Sequence, residues 1–319
     1  MKQNINNNHS TMESELYKQR SLSRCLNDAY NLYRTNFKTI IRRIWLPSLI
    51  LSLLTAATYL IYANGLMALA SANLSVGSGI ALSVLCLLSA CAYVWIFTII
   101  ISLLNGKSVK ANLPRMIRLA LAILGLMIVV CAFIGLVSMA FVGLTKTKPN
   151  TVLLTGVLGA AFACVVAYVL ALPLCYSIMK YCIETEEKVM AIFKRNYLSG
   201  WHQWGFLFII ALLVGIIVMV IDTLVGMPNN ILSIASGMRH VSMMEGDSPV
   251  VPSTFGLLTF LTATACTFVM VFVRPWVVFV FYYAYGCIDE KEKARLSLRK
   301  ADVKETASKD RAMDFEEVR

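Results

Sequence analysis

The chain has 319 residues, of which 58% are hydrophobic and only 15% charged, and its mean hydropathy is +0.69. Soluble domains run about half apolar and about a quarter charged, so this balance excludes an ordinary soluble globular protein. The net charge of +11 does not describe a nucleic-acid binder either, because the basic residues sit in short segments between long apolar runs.

The N-terminal stretch is Asn-rich and polar, without the apolar core of a secretory signal. Residues 1–23 are expected to be a disordered polar segment. Six apolar runs follow, approximately Trp45 to Ala63, Gly79 to Leu104, Leu119 to Leu144, Val152 to Met179, Phe206 to Met227 and Phe255 to Gly286. Crossing a hydrocarbon core of ~30 Å takes about 20 helical residues, and each run is long enough. No run alternates with period two, and an open sheet leaves its backbone unsatisfied in lipid. The sequence therefore predicts an all-α fold: a polytopic transmembrane helical bundle of six spans over residues 24–288. A charged cytoplasmic tail is expected over 289–319, its last fifteen residues disordered.

The basic residues orient the bundle. With the N-terminus inside, the inner segments hold eight, four, four and nine Lys or Arg in chain order, 25 in all. Only Lys146, Lys148 and Arg239 fall outside, and Arg274 is the one basic residue within a span. That asymmetry predicts both termini in the cytoplasm. The lipid bilayer is the expected partner. The basic stretch Lys291, Lys293, Arg295, Arg299 and Lys300 either holds anionic lipid headgroups or is a plain solvated tail. Nothing in the sequence sets an oligomeric state.

A pattern of basic residue, any residue, Asn and large apolar residue precedes each odd-numbered span. It reads Arg34-Thr35-Asn36-Phe37, Lys110-Ala111-Asn112-Leu113 and Lys194-Arg195-Asn196-Tyr197. In the third copy Val189, Ile192, Phe193, Tyr197 and Trp201 recur at helical spacing. These features predict three units, each a short amphipathic cytoplasmic lead-in helix followed by a membrane hairpin. Pro114 interrupts the second lead-in.

The fourth span carries small residues at every fourth position, Gly159, Ala163, Ala167 and Ala171, beside a second row of Gly156, Ala160 and Cys164. Small residues at this spacing mark a face for close helix packing in lipid. The nine cysteines contain no C-x-x-C and mostly fall within spans, which suits apolar filling between helices.

Charges inside spans are the candidates for function, since each costs about 2.5–3.5 kcal/mol at a helix centre. Two qualify. Asp222 is expected about one turn from the outer end of the fifth span, and Arg274 lies in the last run, followed by Pro275. That proline either starts a new helix or kinks the existing one. Arg274 then either snorkels as an anchor or contacts a ligand or headgroup. Counting along the helices puts Asp222 and Arg274 at different depths, so no ion pair is expected between them. The outer loop from Pro228 to Thr254 is read as mobile, its Arg239, His240, Glu245 and Asp247 lacking the spacing of metal ligands. His9, His202 and His240 fall in a tail and in loops on opposite sides, so they do not jointly hold a metal. No cofactor is expected, and phosphate-binding, zinc-protease, nucleophile-elbow and dinucleotide signatures are missing.

The segment Ala171-Leu172-Pro173-Leu174-Cys175-Tyr176-Ser177-Ile178-Met179-Lys180-Tyr181-Cys182-Ile183, with the closing Tyr285-Gly286, resembles a group of uncharacterised bacterial six-helix membrane proteins. More distantly it resembles the membrane domain attached to some glycerophosphodiester phosphodiesterases. The resemblance implies a bacterial inner-membrane protein and carries no catalytic motif. Three readings of function follow: a non-enzymatic binding, scaffold or membrane-homeostasis role; a small transporter or permease using Arg274 for an anionic solute or lipid; and a lipid-acting enzyme using His202, Glu184 or Glu187 at the inner interface.

Overall fold

The computed structural model describes residues 16–70, 76–144, 152–184, 188–244 and 254–317. Among them the chain is helical: α1 (Leu22–Ala70), α2 (Val76–Asn105), α3 (Val109–Leu144), α4 (Val152–Ile183), the short α5 (Val189–Phe193) and α6 (Arg195–His202), α7 (Trp204–Met244), α8 (Phe255–Val271) and α9 (Arg274–Glu317). Six helical stretches are long and apolar enough to cross a membrane. In α3 the most apolar stretch has no buried residue, with Leu121, Ile128, Leu136 and Met139 all exposed. A soluble monomer rarely exposes so continuous an apolar face. The chain is a multi-pass helical membrane protein.

Several boundaries differ from those expected. The first two lead-ins are not separate short helices. Arg34 to Phe37 lies within α1, and Lys110 to Leu113 opens α3, where Pro114 falls near the N-terminus and is tolerated. Only the third copy precedes its span as distinct short helices. The polar N-terminal segment also ends before residue 23, because Leu16 and Arg20 are buried; residues 1–15 lie outside the described residues. At the other end, α9 continues helical through the charged tail to Glu317. The outer loop shrinks likewise, since α7 runs through Pro228 to Met244.

The repeated Asn has a structural use in the second copy. Asn112 is buried and donates to Ser102 Oγ at 3.1 Å, and it exchanges amide hydrogen bonds with Asn105 at 3.0 Å each way. Gly106, at φ 65°, makes the left-handed turn between them. Asn196 is also buried, whereas Asn36 is half-buried and donates to the Leu32 carbonyl in its own helix.

By its own contacts the chain divides into two compact units, one made of residues 1–29, 165–210 and 280–319, the other of 30–164 and 211–279. In the second unit α4 approaches α3 closely: a Cβ on Gly159 would lie 2.9 Å from Phe141 Cβ and 3.1 Å from Ser138 Cα. Ala163 is fully buried, Ala167 is half-buried and Ala171 is exposed.

In the first unit Pro173 lacks the N–H that would bond the Val169 carbonyl, and Trp204 Nε1 donates to that oxygen at 3.2 Å. Tyr197 donates to the neighbouring Leu170 carbonyl at 3.0 Å. Gly200 sits against the Pro173 carbonyl, 2.7 Å from where a Cβ would stand. A proline break in α4 is thus satisfied by side chains of α6 and α7.

Candidate functional site

The clearest irregularity in the second unit lies between α8 and α9. At Phe272 and Val273 the α-helical bonding gives way to two tighter turns, their N–H groups closing onto the Val269 and Met270 carbonyls at 3.1 Å each, with Phe272 still at φ −74°, ψ −14°. Pro275 occupies the first turn of α9, where its missing N–H breaks no helical bond. Tyr33 donates its hydroxyl to the Phe272 carbonyl at 2.8 Å, satisfying one of the acceptors at the end of α8. The sixth span is therefore two helices, and Arg274 is the first residue of the second.

Irregular backbone among membrane helices persists where protein buries it or where it lines a cavity. Here it borders a cavity of about 320 Å³, within the range of ~300–1,000 Å³ usual for small-molecule sites. Arg274, Thr267 and Cys266 form one wall, and Asp222, Thr223, Asn229 and Asn230 of α7 form another. Thr55 of α1 and Tyr93 of α2 complete the polar lining. The α7 wall surrounds Pro228, which deprives the Leu224 carbonyl of its helical donor. The cavity thus lies between a proline-disturbed stretch of α7 and the junction of α8 with α9.

Asp222 and Arg274 do not lie at different depths. Because α7 continues to Met244, Asp222 is 22 residues, about 33 Å, from its C-terminal end rather than one turn. Arg274 is 19 residues, about 29 Å, from Phe255 at the start of α8. Both charges line the same cavity. Both are exposed from protein cover, and among the described residues no hydrogen bond or ion pair joins them. Thr223 and Thr55 hydroxyls donate to the carbonyls of Met219 and Leu51 at 2.8 Å, which leaves their oxygens free to accept. The Asn229 Oδ1 atom is buried without a hydrogen-bond partner.

The first unit holds a second polar cluster, which the sequence reading missed. Asp289, 4% exposed, accepts from Tyr176 at 3.3 Å and pairs with Lys180 at 3.4 Å and Lys293 at 2.7 Å. Lys180 also lies 3.8 Å from Glu184, which accepts from Tyr285 at 2.7 Å; Tyr285 and Tyr17 hydroxyls meet at 3.2 Å. Burial holds the Tyr17 phenol above its usual pKa. Arg20 is fixed by Asp28 at 2.8 Å and by the Leu16 carbonyl at 2.8 Å, over the Tyr283 ring. Every charge here has an opposite partner, so this cluster reads as a structural lock of residues 16–29 onto α4 and α9.

The remaining candidates separate. Glu184 belongs to that lock, and His202 is exposed with Nδ1 at 2.7 Å from the Leu198 carbonyl of its own helix. Glu187, Glu245, Asp247 and the side chains of Arg239 and His240 lie outside the described residues. Of the cysteines, Cys25, Cys182 and Cys287 are buried, while Cys86, Cys91, Cys131 and Cys164 are exposed rather than packed between helices.

The fold and the cavity define a multi-pass α-helical membrane protein with a charged recess at a broken span. Comparison with protein families, with curated proteins and with solved structures finds no match to this chain.

Proposed function

We propose that this protein is a small membrane carrier, or ligand-binding membrane protein, that holds the anionic group of a solute or lipid at Arg274. The observation that carries this reading is the position of Arg274: it opens a half-helix and lines a cavity, and among the described residues no carboxylate forms an ion pair with it. Discontinuous spans whose half-helix N-termini face a polar cavity are a recurring way to bind anionic groups. The N-terminal end of α9 adds its partial positive charge to the guanidinium. A purely structural anchor has no need of the surrounding Thr and Asn side chains, which provide ligand hydrogen bonds. This favours binding or transport over a scaffold role without a ligand.

The asymmetry of 25 inner against three outer basic residues supports placing both termini in the cytoplasm. The likeness of Ala171 to Ile183 to bacterial six-helix proteins supports an inner-membrane location. The test is thermal unfolding of the detergent-solubilised chain against inorganic phosphate, sulfate and a short-chain phosphatidic acid. At least one is expected to raise the midpoint, Arg274→Leu to weaken that ligand by about tenfold or more, and Arg274→Lys to retain part of the effect. Equal responses from wild type and Arg274→Leu contradict the reading.

A further inference from the structure

Arg274 borders a second cavity as well. This one, of about 360 Å³, is lined by Ile96, Phe97 and Ile100 of α2 and by Val277 and Val278 of α9. Only Tyr93, Val271 and Arg274 are shared with the polar cavity. One guanidinium therefore stands between an apolar recess and a polar recess, with a carboxylate, Asp222, in the polar one.

A ligand that satisfies this arrangement has three parts in a fixed order. A hydrocarbon segment belongs in the apolar recess, an anion at the junction, and a cation in the polar recess beyond it. A fully anionic lipid meets the Arg274 requirement but brings negative charge toward Asp222, which is repulsive in surroundings of low dielectric. A ligand without a cation leaves Asp222 uncompensated beside hydrocarbon, where an unpaired charge is costly. The polar recess also favours a cation that donates hydrogen bonds. The Asp222 carboxylate, the amide oxygens of Asn229 and Asn230, and the Thr223 and Thr55 oxygens all accept.

We propose that the paired cavities hold a zwitterionic phospholipid with a primary ammonium headgroup, of the phosphatidylethanolamine type. Its phosphate sits on Arg274, its ammonium is directed to Asp222 and the Asn229–Asn230 amides, and an acyl segment lies along Ile96, Ile100, Val277 and Val278. This rests on the reading of Arg274 as an anion site and adds the identity of what is bound.

Native mass spectrometry of the full chain, given equal phosphatidylethanolamine and phosphatidylglycerol of the same acyl chains, tests it. Wild type is expected to retain the ethanolamine lipid over the glycerol lipid by about tenfold or more, as one charge-assisted hydrogen bond implies. Asp222→Asn, at an exposed position, is expected to bring that ratio near one without loss of the glycerol lipid, and Arg274→Gln to weaken both lipids. Ile100→Trp, which fills the apolar recess, is expected to weaken the lipid while leaving free phosphorylethanolamine binding unchanged. Circular dichroism on each variant confirms that the helices are intact.

Equal retention of the two lipids by wild type, or a ratio unmoved by Asp222→Asn, overturns the inference while leaving Arg274 as an anion site. Free phosphorylethanolamine binding as tightly as the lipid, with no effect of Ile100→Trp, overturns it in favour of a soluble zwitterion. Lipid retention indifferent to Arg274→Gln overturns both this inference and the function proposed above.

Discussion

Asp289→Ala is expected to destabilise the protein by about 3 kcal/mol, as breaking a buried ion pair leaves its partner uncompensated. The reasoning turns on which lysine is stranded. Lys293 is 60% exposed and loses little when its partner goes. Lys180 is 13% exposed and, among ion pairs of the described residues, retains the more distant Glu184, at 3.8 Å. Tyr176 loses its acceptor in the same change. Asp289→Asn keeps that acceptor but not the charge, so an intermediate loss is expected. Denaturant titration in detergent, followed by helical circular dichroism, measures it. A change within about 0.5 kcal/mol for Asp289→Ala contradicts the account of the cluster as a lock.

Gly286→Val acts on the same lock from the side of sterics. A Cβ at residue 286 would collide with the Leu16 carbonyl and with the Leu16 side chain. Backbone does not yield as a flexible side-chain tip does, so residues 16–20 must lift away. Overpacking of this kind costs typically ~1–3 kcal/mol. If trypsin samples the open form at equilibrium, cleavage after Lys18 and Arg20 accelerates by roughly tenfold. Gly286→Ala is expected to do the same more weakly. Unchanged proteolysis in both variants contradicts the docking of this segment against α9.

The number and kind of spans were legible because lipid imposes one requirement on every span, a long apolar helical run. Their ends were not. The basic lead-in at Arg34 to Phe37 read as a separate short amphipathic helix, yet it continues α1 without a break. Pro228 read as the end of the fifth span, yet α7 absorbs it and runs on to Met244. That single misplacement put Asp222 near an interface and separated it from Arg274. Arg274 itself was visible as a charge within an apolar run, and Pro275 marked where a new helix starts or the existing one kinks.

The rest of the cavity left little trace. Thr55, Thr223 and Thr267 are uncharged and at home in membrane helices, where threonine bonds its own backbone. Asn229 and Asn230 were absorbed into a supposed loop. The Asp289 lock was hidden differently: its members were scattered among other readings, Glu184 as an interfacial catalytic candidate, Lys293 in a headgroup-binding stretch and Asp289 in the charged tail. Its one sequence signal is the four-residue spacing of Lys180 with Glu184 and of Asp289 with Lys293.

The central claim is a polar recess at the broken sixth span, and Cys266 reports on it without any substitution, because this half-buried cysteine lines the cavity beside Thr267 and Arg274. Intact membranes are treated with a small, charged, membrane-impermeant thiol reagent, and each cysteine is quantified by peptide mass. Cys131, exposed on the apolar α3, serves as the reference for a thiol that meets only hydrocarbon. The account predicts that Cys266 is modified while Cys131 is not, and that an occupying lipid slows the reaction. A Cys266 as inert as Cys131, in membranes stripped of competing lipid, contradicts a recess open to polar ligands at Arg274.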